Sequence, residues 1–573
     1  MVYLFIFFIY LFWIISILGY GSLLNYFFNS ARISEINDFK NIKLAVFGIF
    51  GLLTISVIGN LANFFVPLNL LFSIIIFLIG VILFSINFKK IFSRYGKSEI
   101  IIIIVLFVFL SFIPFNWNNF NDTGIYHIQS IKWLNESVAP LGLANLHGRL
   151  GYNSSWFTIA SIVETPLLLK ESPLFITNAI IMFFYGSAGF LTFFGKIKEK
   201  KFLFSDYFLI FTIIPWLRKT PFNMASLAPD LPVLMITLFV IYLLICFFEK
   251  RENNYLYAFI LVIISLFAVT IKLSASPLLA GSVSAFIYYI ISTGKNCIYS
   301  NSEKLNSKKS LYYKKLISTF FIILATWVAR GIVLSGCIAY PSSIGYFKSL
   351  RWAVNPMILK GESDWIRSWA RQAYISPEKV LGNWDWLKPW LMGYIKGEKL
   401  LIFILIVGII IIIIALIKKD FFRKDLNKNM FFVPLIVSFL GILFWFFTAP
   451  DPRFGYGFLF SFVLLILSYG FYIVKLPKHE DIFKFISISI ILLFFIIKPA
   501  APLIINFKNT FINNWPGIPK IEVKEEKTND GIKINIPSKG DQCWNIDLPA
   551  TPYFKQDLKI YFNKDGEMRM FYY

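Results

Sequence analysis

The sequence predicts an α-helical polytopic membrane protein with about fourteen transmembrane helices, polar outer loops carrying juxtamembrane helices, and a small β-containing C-terminal tail. Three observations carry this expectation. The 573-residue chain is 57% hydrophobic and 19% aromatic but only 15% charged, with a mean hydropathy of +0.68, too apolar for a soluble globular fold. Its apolar residues fall into runs of roughly twenty, the length that crosses the hydrocarbon core as a helix. Its lysines and arginines cluster in short connections between those runs, the pattern that orients membrane spans.

The N-terminal transmembrane region, 1–115, holds runs 2–28, 43–63, 68–87 and 99–115. The first of them lacks a basic n-region and a small-residue cleavage site, so it reads as a retained span. Residues 116–172 form the first outer loop. The transmembrane core, 173–338, holds runs 174–194, 203–216, 230–248, 255–271, 276–292 and 317–338, of which 203–216 is short enough to be broken or tilted. An outer tryptophan-rich loop, 339–398, precedes the C-terminal spans 399–417, 431–449, 456–475 and 485–502 in the region 399–502. In the tail, 503–573, GIKINIP alternates and LKIYFNKDGEMRMFYY sets Asp565-Gly566 between alternating runs, predicting short strands and a hairpin. A piece of about seventy residues is too small to hold itself together, so it should dock on the membrane part.

The formal charge of +23 suggests nucleic acid until its distribution is read. The basic groups are Lys89, Lys90, Arg94 and Lys97; Lys196, Lys198, Lys200 and Lys201; Lys304, Lys308, Lys309, Lys314 and Lys315; Lys418, Lys419, Arg423 and Lys424; and Lys475 and Lys478. With the spans above, all fall on one side, which the positive-inside rule makes the cytoplasm; no nucleic-acid partner is implied. The other connections face outward, so a substrate used there must come from the lipid or the outer medium. Cysteines 246, 297, 337 and 543 form neither a metal spacing nor a disulfide framework.

The outward side collects polar residues. FNDTGIYHIQSIKWLNE places Asp122 ahead of a surface helix, where it is either a cap with His127 a surface residue or, with His127, part of a site. NLHGRLGYNSSW adds Asn145, His147, Arg149, Asn153 and Ser154, too polar for lipid. Asp230 opens a span, where a cap or a positioning role both fit. Lys272 ends one span just before the next and either snorkels or binds a lipid phosphate. Arg330 lies within an apolar run and requires an ion-pair partner or an aqueous cavity. In TAPDPRFGYG, Asp451 and Arg453 flank Pro452; the guanidinium suits phosphate oxygens, and an internal Asp–Arg pair fixing the turn is the alternative. The six tryptophans between Trp352 and Trp390 suit helices lying in the membrane interface and make the loop a candidate lid.

The strings NDTGIYHIQSIKWLNE, LGLANLHGRLGYNSSW, SGCIAYPSS, APDPRFGYG and GDQCWNIDLPATPYF look similar to an uncharacterised Leptospira-type family of bacterial polytopic membrane proteins, a likeness that supplies no activity. An aspartate just past an outward-going span, in the first long outer loop and followed by a juxtamembrane helix, resembles the GT-C class of membrane glycosyltransferases. That resemblance implies a GT-C-like core in a bacterial inner membrane with its active site facing the periplasm. It implies a polyprenyl-phosphate-linked sugar as donor, a glycan or lipid acceptor, and surrounding membrane lipids as partners. Asp122 takes the catalytic base position, with His127 and His147 orienting it or the acceptor. Lys272 and Arg453 hold the donor phosphate, while Arg149, Asn153, Asp230 and Asp451 position the acceptor. The sequence names no cofactor, and a divalent metal stays optional, because no tight carboxylate pair stands in the first loop. A transporter or flippase is the rival, although the marked polar groups gather at one surface and no inverted repeat is visible. A structural component whose loops bind a partner is the third reading.

Overall fold

A computed structural model describes residues 2–27, 39–115, 121–168, 171–172, 174–199, 202–223, 225–249, 254–297, 303–417, 428–474, 489 and 517–573. The chain is a mostly helical, multi-pass membrane protein. Among the described residues, eleven helices are long and apolar enough to cross a membrane, each matching one of the fourteen predicted runs. Run 255–271 is the shorter apolar helix Tyr255–Ile271. Run 203–216 is broken, into Phe204–Phe211 and Ile213–Asn223: Thr212 turns its hydroxyl back to the Leu209 carbonyl (2.6 Å), and Pro215 supplies no amide to continue the ladder. Run 485–502 lies, but for residue 489, outside the described residues, as do Lys200, Lys201, Lys418, Lys419, Arg423, Lys424, Lys475 and Lys478.

Burial distinguishes a centre from a rim. In helix Asp230–Glu249, 94% of the most apolar stretch is buried inside the protein, against 22% in Leu70–Phe92 and in Lys399–Ile417. The first helix is therefore surrounded by protein, while the other two face lipid and can be uniformly apolar. Close helix contact comes from small residues. A Cβ on Gly19 would lie 1.9 Å from the Gly80 carbonyl, so helices Val2–Ser22 and Leu70–Phe92 touch backbone to backbone.

The two ends of the bundle differ in chemistry. At one end Lys40 pairs with Glu99 (2.9 Å), Lys43 donates to the Ser93 carbonyl (2.6 Å) and Lys198 donates to Ser98 (2.9 Å). These contacts bring Lys40 and Lys43, at the start of the second span, beside two of the five basic groups, those around Arg94 and Lys198. Helix Lys97–Ser111 leaves that end and delivers the chain to the opposite end, where the first loop, Asp230, Lys272, the tryptophan-rich loop and Asp451 gather.

The tail closes over the second end. Strand β1 (Val523–Lys527) pairs antiparallel with β2 (Lys533–Pro537), and β3 (Lys559–Phe562) with β4 (Met568–Tyr572). The β3–β4 turn is the expected one: the Asn563 side chain accepts from the Asp565 and Glu567 amides (3.0 and 2.8 Å), and Gly566 takes φ +79°. Docking follows. The Phe571 amide donates to the Leu141 carbonyl and the Leu141 amide to the Arg569 carbonyl (both 2.9 Å). The Trp544 amide donates to the Gly124 carbonyl (2.8 Å), and Gln129 donates to the Trp544 and Ile546 carbonyls (both 3.0 Å). The tail thus grips the juxtamembrane helix Ile128–Glu136 on two sides.

Candidate functional site

Asp122 lies immediately before a π turn, Thr123–His127, closed by the Ile128 amide on the Thr123 carbonyl, a wide turn that proteins often reserve for functional positions. The cap reading fails here. Asp122 has helical dihedrals (φ −60°, ψ −27°) and accepts no capping bond, which leaves both carboxylate oxygens for side chains. One accepts from Arg149 Nη1 (3.1 Å) and the other from Arg453 Nη1 (3.2 Å).

Arg453 is placed by its own turn. Asp451 caps helix Pro452–Ile473 through the Arg453 amide (3.0 Å), and its other oxygen sits 3.3 Å from Arg453 Nε. Trp390, from the tryptophan-rich loop, donates to the Pro450 carbonyl (2.7 Å) and so pins the turn from above. The internal Asp451–Arg453 pair foreseen as an alternative therefore exists, and Arg453 still reaches Asp122. Asp230, at the start of the central helix, is ion-paired with Lys272. Both pairs meet at Phe454, whose ring carries Lys272 Nζ at 3.8 Å and the Arg453 guanidinium at 4.8 Å. Arg149 also faces the Tyr126 ring at 5.7 Å.

Three cations, Arg149, Lys272 and Arg453, thus alternate with three carboxylates, Asp122, Asp230 and Asp451. The Asp122 and Arg453 side chains are 28% and 39% exposed, so the cluster opens to the medium. Burial pushes the Asp122 carboxyl up, but the His127 ring and the guanidinia of Arg453 and Arg149 pull it down and prevail; it ionises below the usual carboxylate range. Burial prevails at Asp451, which is raised despite Arg453.

Other predicted residues are placed differently. His127 is 1% exposed and burial pushes it down to about 4, against the pull of Asp122 and Asp230, so it is uncharged at neutral pH. Its Nδ1 faces Thr123 Oγ1 at 3.3 Å and its ring packs on Tyr126 and Phe157; it backs the turn and makes no hydrogen bond to Asp122. His147 is also buried, lowered to about 3 by burial and then by Arg149, and packs against Tyr553 of the tail with ring centroids 5.4 Å apart. Asn153 is fastened elsewhere, donating to the Trp327 carbonyl (2.6 Å) and accepting from Arg330 (3.1 Å). Asn145 likewise serves as a brace, donating to the Phe571 carbonyl (3.1 Å), and Ser154 donates to the Ile271 carbonyl (2.8 Å). Asp230 has Lys272 as its ion-pair partner. Among the described residues, no group of three His, Cys, Asp or Glu side chains is placed to hold a metal ion.

One neighbour of the cluster escaped sequence reasoning. Glu362, on helix Pro356–Arg371 of the tryptophan-rich loop, accepts from the Tyr152 hydroxyl (2.9 Å). A Cβ at Gly148 would lie 2.5 Å from its Oε1, so the carboxylate rests on the backbone beside Arg149. Burial raises it, and Arg149 and the Tyr152 hydroxyl oppose. Its only sequence signal is an acid in an amphipathic loop helix, where solvated acids are ordinary.

The family described as "Domain of unknown function (DUF8201)" matches residues 1–460. The chain belongs to this family. The family match contains the whole cluster from Asp122 to Arg453, and the four tail strands lie beyond it. No curated protein and no solved structure matches the chain.

Proposed function

We propose that the chain is a GT-C-like membrane glycosyltransferase that moves a sugar from a polyprenyl-phosphate donor to a glycan or lipid acceptor during cell-envelope synthesis. The reading places it in a bacterial inner membrane with the cluster toward the periplasm, because the basic groups around Arg94 and Lys198 lie at the other end. One observation supports the chemistry above the others: Asp122 is held by two guanidinia from distant parts of the chain, beside the Lys272–Asp230 pair, at an open end of the bundle.

At rest, two guanidinia make Asp122 a weak base. A donor phosphate competes for Arg453 and Lys272, since a guanidinium fork fits phosphate oxygens as well as a carboxylate. Releasing Asp122 from Arg453 raises its basicity where a base is needed. The acceptor oxygen then bonds to the anomeric carbon as the bond from that carbon to the phosphate oxygen breaks. The acceptor proton passes to Asp122, and Arg453 and Lys272 hold the charge left on the phosphate. Arg149 keeps Asp122 in place, and neutral His127 fills the space behind it.

The test compares the purified parent with Asp122→Asn against a panel of polyprenyl-phosphate hexoses. Product formation falls by about 100-fold or more, the usual weight of a general base, while donor binding changes by only a few fold. Undiminished product from a folded variant ends the mechanism. Movement of lipid-linked sugar across proteoliposomes without any product makes the chain a flippase instead.

A further inference from the structure

Helix Leu387–Gly397 ends the tryptophan-rich loop and has no fully buried residue. One side of it rests on protein. Trp390 and Tyr394, one turn apart, pack on Trp445 with ring centroids 5.8 and 6.2 Å away, and Trp390 also meets Phe446 at 5.5 Å. Those partners stand at the end of the membrane helix Asn429–Thr448. The other side is bare. Leu391, Met392 and Ile395 share it and are 46%, 53% and 49% exposed; the helical spacing puts Lys388 beside Leu391 and Met392, and Lys396 beside Met392. Lys399, the next exposed cation, opens the lipid-facing helix Lys399–Ile417. Exposed Phe403 and Phe447 on the two adjoining membrane helices continue the apolar surface into the bilayer.

Charge decides what covers this face. Residues 387–399 hold three lysines and one acid, Glu398, and that acid is buried, accepting from the Tyr456 hydroxyl (2.5 Å). Among the described residues, none of the three ammonium groups has a hydrogen-bond or ion-pair partner. A helix that sets lysines among aliphatic side chains lies in the headgroup zone, and its hold grows with the negative charge of the lipid. A zwitterionic headgroup brings its own ammonium to each phosphate and leaves the lysines in competition with it. We propose that acidic phospholipid covers this face, its headgroup phosphates paired with Lys388, Lys396 and Lys399 and its upper chains lying on Leu391, Met392 and Ile395. The same helix holds the turn that carries Arg453: Trp390 donates to the Pro450 carbonyl and Trp445, packed against it, to the Asp451 carbonyl (both 2.7 Å). Acidic lipid therefore steadies that turn, whatever reaction the charged cluster performs.

The probe is phosphatidylglycerol. The full chain in neutral detergent is melted while phosphatidylglycerol, phosphatidylcholine or inorganic phosphate is added, and hydrogen exchange at residues 449–454 is followed in nanodiscs of either lipid. The expected result is a saturable rise in melting temperature with phosphatidylglycerol that the other two additions do not reproduce. Replacing the three lysines together, Lys388→Gln, Lys396→Gln and Lys399→Gln, raises the half-saturating phosphatidylglycerol concentration about 100-fold, at about fivefold per lysine near an anionic surface. Exchange at 449–454 is slower in phosphatidylglycerol than in phosphatidylcholine. Trp390→Phe keeps a ring but removes the donor to Pro450, so it loses that protection while still responding to phosphatidylglycerol. Equal stabilisation by phosphatidylcholine, a matching response to inorganic phosphate, or an undiminished response in the triple variant overturns the site. So does a dimer in neutral detergent that Met392→Arg splits, which gives the face to a second copy. Equal exchange at 449–454 in the two lipids overturns the link to the Arg453 turn.

Discussion

Asp122 receives one hydrogen bond from each of two guanidinia, which together with the His127 ring outweigh burial and lower its pKa. It works ionised in the proposed reaction, so its depressed pKa preserves activity as pH falls through the ordinary carboxylate range. Arg149→Gln removes one cation and lets the pKa rise, so the acid limb of a pH–rate profile should move to higher pH; an unmoved limb separates Arg149 from the base. The buried histidines act on stability. His127 binds its proton at about 4 in the folded chain against 6.5 when unperturbed, so the unfolded state takes up the proton first and stability drops as pH falls from 6.5 toward 4. The loss for a buried imidazole of this kind is about 3 kcal/mol. His127→Gln should flatten the fall in melting temperature over that window, and an unchanged slope contradicts the assignment of a neutral buried ring. Asp122, Asp230, Lys272, Asp451 and Arg453 were legible in the sequence because a charge at the edge of an apolar run stands out. Their pairing was not, since Asp122 and Arg453 are separated by 331 positions. Asn153 is fastened to Trp327 and Arg330, contacts the sequence does not reveal because a polar residue at a span boundary looks the same whether it faces a site or braces a neighbouring helix.

At the scale of elements, the turn at Thr123–His127 and the tail depend on each other. A Cβ on Gly124 would lie 2.7 Å from the Trp544 ring, and that ring is buried. Gly124→Val therefore pushes the tail off helix Ile128–Glu136, at a cost of about 1–3 kcal/mol typical of overpacking. Limited proteolysis should cut the tail of this variant faster than that of the parent; equal rates would mean that the Trp544 contact does not hold it. The β3–β4 hairpin and its Asp565-Gly566 turn were readable, because alternation and a turn pair are local signals. The π turn was not readable: a wider hydrogen-bond ring leaves no mark in hydrophobic periodicity. The break at Thr212 was open from sequence because run 203–216 is short, and Thr212 with Pro215 supplies its cause.

Across the whole molecule, a buried central helix, Asp230–Glu249, carries one member of the charged cluster at its end, and lipid-facing helices surround it. Runs of about twenty apolar residues made the spans legible, while the difference between centre and rim appears only when burial is known. Segregation of the lysine-rich connections from the charged cluster predicts a labelling pattern. In intact cells, Lys360→Cys should react with a membrane-impermeant thiol reagent and Ser98→Cys should not; reaction of both, or the reverse order, breaks the orientation. The central claim is that the cluster receives a lipid-linked sugar phosphate. Its most direct measurement is an electron cryomicroscopy structure of the full chain in nanodiscs with a polyprenyl-phosphate hexose. The account predicts phosphate density within hydrogen-bonding distance of Arg453 and Lys272, with Asp122 parted from Arg453 and facing the sugar. Phosphate density at the lysine-rich end, or at this end with the Asp122–Arg453 pair intact and the sugar turned away, contradicts it.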